Sequence, residues 1–251
     1  MSRSLILVAG ILVLVLGGGW YIFFVETDTG GASDSPELSN ERSLSDITLT
    51  TFVSGIRHPY LTYEPGMQFV YETKGGPEYI RVEVEVLKET KEILGIDAMV
   101  IVDRDFEEGE LDEKTESYMA QDIEGNVWIL GEMSVEYKNG KKTEEVGWIA
   151  GSGNAKPGIA MKADSQPGDI YLNVYNEGED ETGIGVIGVH ESISIQYGDF
   201  EDCLYVRDWS PQDPDEVAYK YYCSEIGGLV LDEIPAISER FELIDLKKPE
   251  K

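Results

Sequence analysis

From Ile80 to Val86 the chain alternates without a break, Ile80, Val82, Val84 and Val86 against Arg81, Glu83 and Glu85. A period of two sends successive side chains to opposite faces of an extended backbone, so this segment predicts a half-buried strand and excludes a helical stripe. The rhythm recurs down the chain, broken each time by turn residues. Ile93-Leu94-Gly95 leads into an apolar strand through Val102, and Glu107-Glu108-Gly109-Glu110 turns into a strand over 115–121. Glu124-Gly125-Asn126 reverses toward Val127-Trp128-Ile129-Leu130, and Lys138-Asn139-Gly140-Lys141 is a hairpin signal of the Asn-Gly type. Further strands are expected at 169–175, 184–197, 202–209, 217–223, 228–234 and 240–246. No stretch after residue 58 sustains a helical period with caps. About a dozen short strands in sequential order predict one all-β domain, an antiparallel meander forming a curved sheet or an up-and-down barrel. A two-sheet sandwich alternates in the same way and stays open as a third architecture.

The N-terminus follows another pattern. Leu5 to Val25 is an uncharged apolar run, long enough as a helix to cross a bilayer. Arg3 precedes it and Glu26 and Asp28 follow it, so the positive-inside rule places residues 1–4 in the cytoplasm and exports the rest behind an uncleaved signal anchor over 5–25. Trp20 and Tyr21 suit the outer headgroup layer. No cysteine lies at the end of the run, which argues against a lipid anchor on a processed N-terminal cysteine. Residues 26–58, rich in Ser, Thr, Gly and Asp, read as a flexible acidic tether. The folded extracytoplasmic domain is expected over 59–251.

Lys and Arg number 20 against 49 Asp and Glu, a net charge of -29 in 251 residues. So acidic a chain lacks the basic face that displaces counterions from phosphates, which argues against a nucleic-acid partner. The same shell suits solubility or a high-salt habitat. No cofactor signature is present. Nucleophilic catalysis is poorly supported, because no Gly-x-Ser-x-Gly elbow occurs and His190 falls on the polar phase of its strand with Ser192, Ser194 and Gln196. Gly151-Ser152-Gly153 lacks the lysine and helix of a phosphate loop. Asp103, Asp105 and Glu107 share the opening spacing of a calcium loop, but the turn glycine is misplaced. Glu179, Asp180 and Glu181 form a second carboxylate cluster. Weak calcium binding is the most these predict, and solvated charge explains them as well.

Several segments together resemble a widespread group of exported prokaryotic β-proteins. They are Pro59-Tyr60 with Glu64-Pro65-Gly66-Met67, Tyr118-Met119-Ala120-Gln121-Asp122 with Gly125-Asn126-Val127-Trp128, Lys156-Pro157-Gly158-Ile159-Ala160-Met161 with Pro167-Gly168-Asp169, Tyr197-Gly198-Asp199-Phe200, and Tyr219-Lys220-Tyr221-Tyr222 with Gly227-Gly228-Leu229-Val230. The resemblance spans residues 59–233 and implies no particular activity. Its sheet is similar to the half-open β-folds of lipoprotein carriers of the LolA and LolB type, an analogy of fold alone. Cys203 and Cys223 depart from the group's usual pattern.

Two expectations about sites follow. The strand aromatics Tyr118, Trp128, Trp148, Tyr171, Tyr175, Tyr205, Tyr219 and Tyr221 either pack a core or line a concave ligand pocket. The leading functional expectation is therefore a non-catalytic, membrane-tethered domain that binds an apolar or amphiphilic ligand, or a protein partner in the cell envelope. The alternative is a structural or assembly protein of the envelope with weak calcium binding. Second, a hairpin centred on Asp213 sets Trp209 opposite Val217, Arg207 opposite Tyr219, Tyr205 opposite Tyr221 and Cys203 opposite Cys223. Directly opposed residues lie close enough for a disulfide, and export supplies an oxidising compartment.

Overall fold

The computed structural model describes residues 7–8, 11–12, 47, 50–76, 78–176, 180–210 and 217–249. Of the apolar run, Leu7–Val8 (β1) and Ile11–Leu12 (β2) are described, as a short antiparallel pair. The rest of the expected anchor, and the expected tether up to residue 46, lie outside the described residues. Among the described residues no helix is long and apolar enough to cross a membrane.

The domain is built from β3 (Phe52–Val53), β4 (Ile56–His58), β5 (Leu61–Tyr63), β6 (Gln68–Thr73), β7 (Ile80–Ile93), β8 (Ile96–Glu107), β9 (Glu110–Asp122), β10 (Val127–Lys138) and β11 (Lys141–Ile149). It continues with β12 (Gly158–Met161), β13 (Ile170–Asn176), β14 (Asp180–Ile195), β15 (Gly198–Trp209), β16 (Val217–Cys223), β17 (Gly228–Ile234) and β18 (Glu239–Lys247). A 3-10 turn at Pro235–Ile237 precedes β18.

The sheet runs β11-β10-β9-β8-β7-β6-β18-β17-β16-β15-β14-β13, antiparallel throughout. It is thus two meanders, β6 to β11 and β13 to β18, joined where β6 pairs with β18. At the far seam β12 pairs with β10 and also meets β13 through the Ala155–Asn176 bridge and the bond from Lys156 N to Tyr175 O (2.8 Å). The result is a nearly closed barrel, which decides among the three architectures left open by periodicity. Closure at this seam depends on Gly158: a Cβ there would lie 1.7 Å from Asn173 O, so only a residue without a side chain lets the strands meet.

Three of the two-residue hairpin turns, Leu94-Gly95, Glu108-Gly109 and Asn139-Gly140, have both central φ values positive. This is the I′ geometry that matches strand twist. Asn139 is the residue such a turn favours. Leu94, at φ 54°, is not, and the left-handed conformation costs a bulky residue roughly 1–2 kcal/mol.

The alternation seen in sequence becomes the barrel wall. Ile80, Val82, Val84 and Val86 are buried between half-buried polar neighbours, and across the register Phe69 faces Val84 and Tyr71 faces Val82. The domain also begins earlier than Pro59. Ile47 and Ile56 are 1% and 0% exposed, β3 pairs with Asp122 and Gln121 of β9, and Thr62 N donates to Gly227 O (2.7 Å). The polar composition of 50–58 hid a cap. Its few apolar side chains, with β4 and β5, cover one end of the barrel.

Candidate functional site

A groove of about 710 Å³ lies between this cap and the tip of the β7–β8 hairpin. Ile47, Tyr63, Ile96 and Met99 form its buried apolar part, while Phe52 is half-buried and Val53 and Leu94 stand exposed. Arg57, Glu64, Lys88 and Asp97 supply the charges on its lining. The strand period explains the floor. Ile96 and Met99 lie on β8 at the start of its buried run, and Tyr63 ends β5 with its ring edge-on to Phe69, centroids 6.0 Å apart.

Behind Tyr63 the barrel interior is ionisable. On the inner face Asp103 pairs across to Thr115, Thr115 to Ser134, Asp105 to Glu113, and Ile101 to Ser117, which faces Glu132. Asp103 and Asp105 are 1% and 4% exposed, and neither carboxyl oxygen of either has a hydrogen-bond partner among the described residues. Burial first, then the neighbouring carboxylates, pushes both groups well above the usual carboxylate range. Glu113 is pushed up to about 7 by burial, partly offset by hydrogen bonds from Ser134 Oγ (2.5 Å) and Thr115 Oγ1 (2.9 Å) to its Oε1. Burial also raises the phenols of Tyr63, Tyr71 and Tyr222. Tyr71 is held by donating to Leu229 O (3.0 Å).

Across the barrel sits a buried ion triad. Lys220, 0% exposed, bonds Asp208 and lies 3.7 Å from Asp232, its direct partner on β17. Burial raises both carboxyls against the downward pull of the lysine.

The structure divides the predicted aromatics. Tyr118, Trp128, Trp148 and Tyr171 are buried, whereas Tyr175, Tyr205, Tyr219 and Tyr221 are half-buried. Trp128 Nε1 donates to Asp122 Oδ2 (2.8 Å), Lys91 caps the Tyr118 ring at 4.3 Å, and Tyr205 stacks on Tyr221 at 4.3 Å. None of the eight lines the groove. They support the wall, and the ligand-sized space is built from residues the pattern reading passed over.

The carboxylates expected to hold calcium are likewise dispersed. Asp103, Asp105 and Glu107 are alternate residues of one extended strand, and a rise of about 3.3 Å per residue keeps such side chains from converging on one ion. Glu179 lies outside the described residues, as does the Asp180 side chain, and Glu181 on β14 pairs with Tyr175 of β13. Among the described residues no group of three or more His, Cys, Asp or Glu is arranged to hold a metal. Asp103 and Asp105 keep phase with the apolar Ile101, and that phase is the signal that they face inward.

The hairpin register is the predicted one: Cys203–Cys223, Tyr205–Tyr221, Arg207–Tyr219 and Trp209–Val217. The cysteines form a disulfide with Cα atoms 4.0 Å apart. Beside it Asp202 accepts from Ser224 Oγ (2.6 Å) and Tyr60 OH (2.9 Å) and pairs with His190 Nδ1 (2.7 Å). The His190 side chain is exposed, as its polar phase predicts, and Ser224 bonds the carboxylate rather than the imidazole. That order of contacts is not a nucleophile-activating triad. His58, placed by the sequence at the end of the tether, is buried instead, with Nε2 3.0 Å from Lys162 O.

No family model and no curated protein matches the chain. A solved structure of a candidate lipoprotein from Parabacteroides distasonis is similar over 79% of this chain and 99% of that one, at 14% identity and a TM-score of 0.41. A likeness at that level carries no argument about what this chain does.

Proposed function

We propose that residues 47–249 form a non-catalytic, extracytoplasmic binding domain and that the groove beside the end cap takes an apolar or amphiphilic ligand. The observation that carries this reading is the groove itself, about 710 Å³ with a buried apolar floor and a charged lining. The volume is within the range of ligand sites, and apolar and polar groups share the lining about equally, a mixture that suits a guest with an apolar and a polar end. The Cys203–Cys223 disulfide supports export, because such bonds persist in oxidising compartments. The apolar run over 5–25 is the proposed anchor, and a lipid or another envelope component is the proposed partner.

Photolabelling tests the location. An uncharged alkyl glycoside bearing a diazirine, irradiated with the full chain in phosphatidylcholine nanodiscs, should label peptides within 47–57 and 88–99. Thr90→Trp, at an exposed groove position, should abolish that labelling by filling the space. Labelling that falls instead on the strands bearing Tyr205 and Tyr221, or that ignores the tryptophan, overturns the assignment.

A further inference from the structure

The groove has one costly feature that its role as a fold element does not require. Of the three two-residue turns with both central φ values positive, Asn139-Gly140 has a residue suited to left-handed backbone, and Glu108 keeps a hydrated side chain at its turn. Leu94 gains neither advantage. Its side chain is 41% exposed, resting on the Gly151 backbone, where an added Cβ would meet Leu94 Cδ2 at 2.6 Å, and lining the groove. A strained, apolar, part-exposed residue at the rim of a ligand-sized space is the kind of outlier from which function is reasonably inferred. With Val53, 43% exposed, it forms an apolar lip above the buried floor.

The charges on the lining complete the description of the guest. Arg57 and Lys88 oppose Glu64 and Asp97, so the groove is formally neutral in a chain with 20 basic and 49 acidic residues. An anion entering here meets two cations beside two carboxylates, a lining of zero net charge in place of the acidic excess of the surrounding surface. Among the described residues neither Arg57 nor Lys88 forms an ion pair, a condition they share with Lys138, Lys141, Arg207, Lys247 and Lys248, whereas Lys74, Arg81, Arg104, Lys114, Lys142 and Lys162 are paired.

We infer that the groove takes an amphiphile with an anionic head, its alkyl chain under Leu94 and its phosphate or carboxylate against Arg57 and Lys88. This rests on the groove being the ligand site. The test compares dodecyl phosphate, dodecanoate, dodecyl maltoside and dodecylammonium by calorimetry, each below its micelle concentration. The protein is the full chain in phosphatidylcholine nanodiscs, with empty discs subtracted. The two anions should bind about ten-fold tighter than the maltoside, as hydrogen-bonded charge pairs would give, and the ammonium more weakly still. The ranking between phosphate and carboxylate then separates a phospholipid-type head from a fatty acid. Arg57→Ser with Lys88→Ser should bring the anions down to the level of the maltoside. Leu94→Asn should raise the thermal midpoint, by relieving the turn, while weakening all the alkyl ligands. Anions that bind no better than the maltoside, a preference that survives the double substitution, or a Leu94→Asn protein that binds undiminished would overturn the inference and leave the groove as an unselective site. If no amphiphile binds, the groove reading falls with it.

Discussion

Replacing Glu113 by glutamine should make the protein more stable at neutral and alkaline pH, and the size of the gain follows from its surroundings. The carboxyl is 2% exposed, and burial lifts it from 4.5 to about 7. In the unfolded chain it loses its proton near the lower value, so between the two the folded state binds more protons than the unfolded. The contribution of the protonated group to stability is therefore complete below that window, falls as pH rises across it, and is lost in full above it. A displacement of about 2.5 pH units at 1.36 kcal/mol each amounts to roughly 3 kcal/mol. Glutamine keeps an oxygen for Ser134 and Thr115 and carries no charge to desolvate. After allowing about 1 kcal/mol for weaker, uncharged hydrogen bonds, Glu113→Gln should gain about 2 kcal/mol at pH 8 and little at pH 4.5. In a domain of this size that is a rise of roughly 4–8 °C in Tm. Urea unfolding of both proteins at the two pH values isolates the group, since Asp103 and Asp105 contribute to both. A difference in stability that is the same at pH 4.5 and pH 8 would refute a buried, proton-holding Glu113.

Other perturbations test the frame. Intact mass after alkylation without reductant should show no label on Cys203 or Cys223, and opening this 20-residue loop should cost roughly 3 kcal/mol in denaturant unfolding. Lys220→Met should destabilise by about 3–5 kcal/mol by leaving Asp208 and Asp232 buried without their cation, and adding Asp208→Asn and Asp232→Asn should recover most of that loss. Gly158→Ala should cost about 3 kcal/mol, the upper range for overpacking, and amide exchange should rise first in β12 and β13, where the seam would part.

The strands were legible in sequence because each has one buried face, which forces the alternation that marks it. Turn residues fixed the hairpins for the same local reason: Asn139-Gly140 and Glu108-Gly109 close where their chemistry predicts. The disulfide was legible because a single assumption about the centre of one hairpin sets every pair in it. Barrel closure was not, since it depends on how close β12 comes to Asn173 across the seam, a contact with no periodic signature. The groove stayed hidden for a related reason. Its floor joins residue 47 and strand β5 to the far end of the β7–β8 hairpin, and no local rule pairs a short polar-looking segment with a distant hairpin tip. Leu94 was visible as part of a turn. Its meaning needed the φ value and the exposed side chain together.

A barrel of this kind invites the expectation of an apolar guest held inside it, and the interior argues against that. Asp103, Asp105, Glu113, Asp208, Lys220 and Asp232 all project from buried positions, and the Asp103 and Asp105 oxygens are sealed from solvent without a donor among the described residues. An alkyl chain inserted among them would leave those groups unpartnered and would force still more of them to stay protonated, adding to a desolvation cost already present. An internal lipid site would be expected to pair apolar walls with few polar groups. Here ionisable groups lie inside, and two exposed apolar side chains, Val53 and Leu94, line the groove. The cap formed by 50–63 separates the two, with Tyr63 lining the groove on one side and electrostatically coupled to Asp103 on the other. A ligand at the cap would therefore bind beside the barrel's least comfortable charges without entering among them. Burial holds the Tyr63 phenol well above its ordinary range, so it keeps its proton, and binding should be sensitive to pH only through a titrating head on the ligand itself. Affinity for dodecyl maltoside, which has no titrating head, that changes little between pH 5 and pH 8 while stability falls over the same range would bear out that separation, and an affinity that falls in step with stability would place the ligand in the lumen.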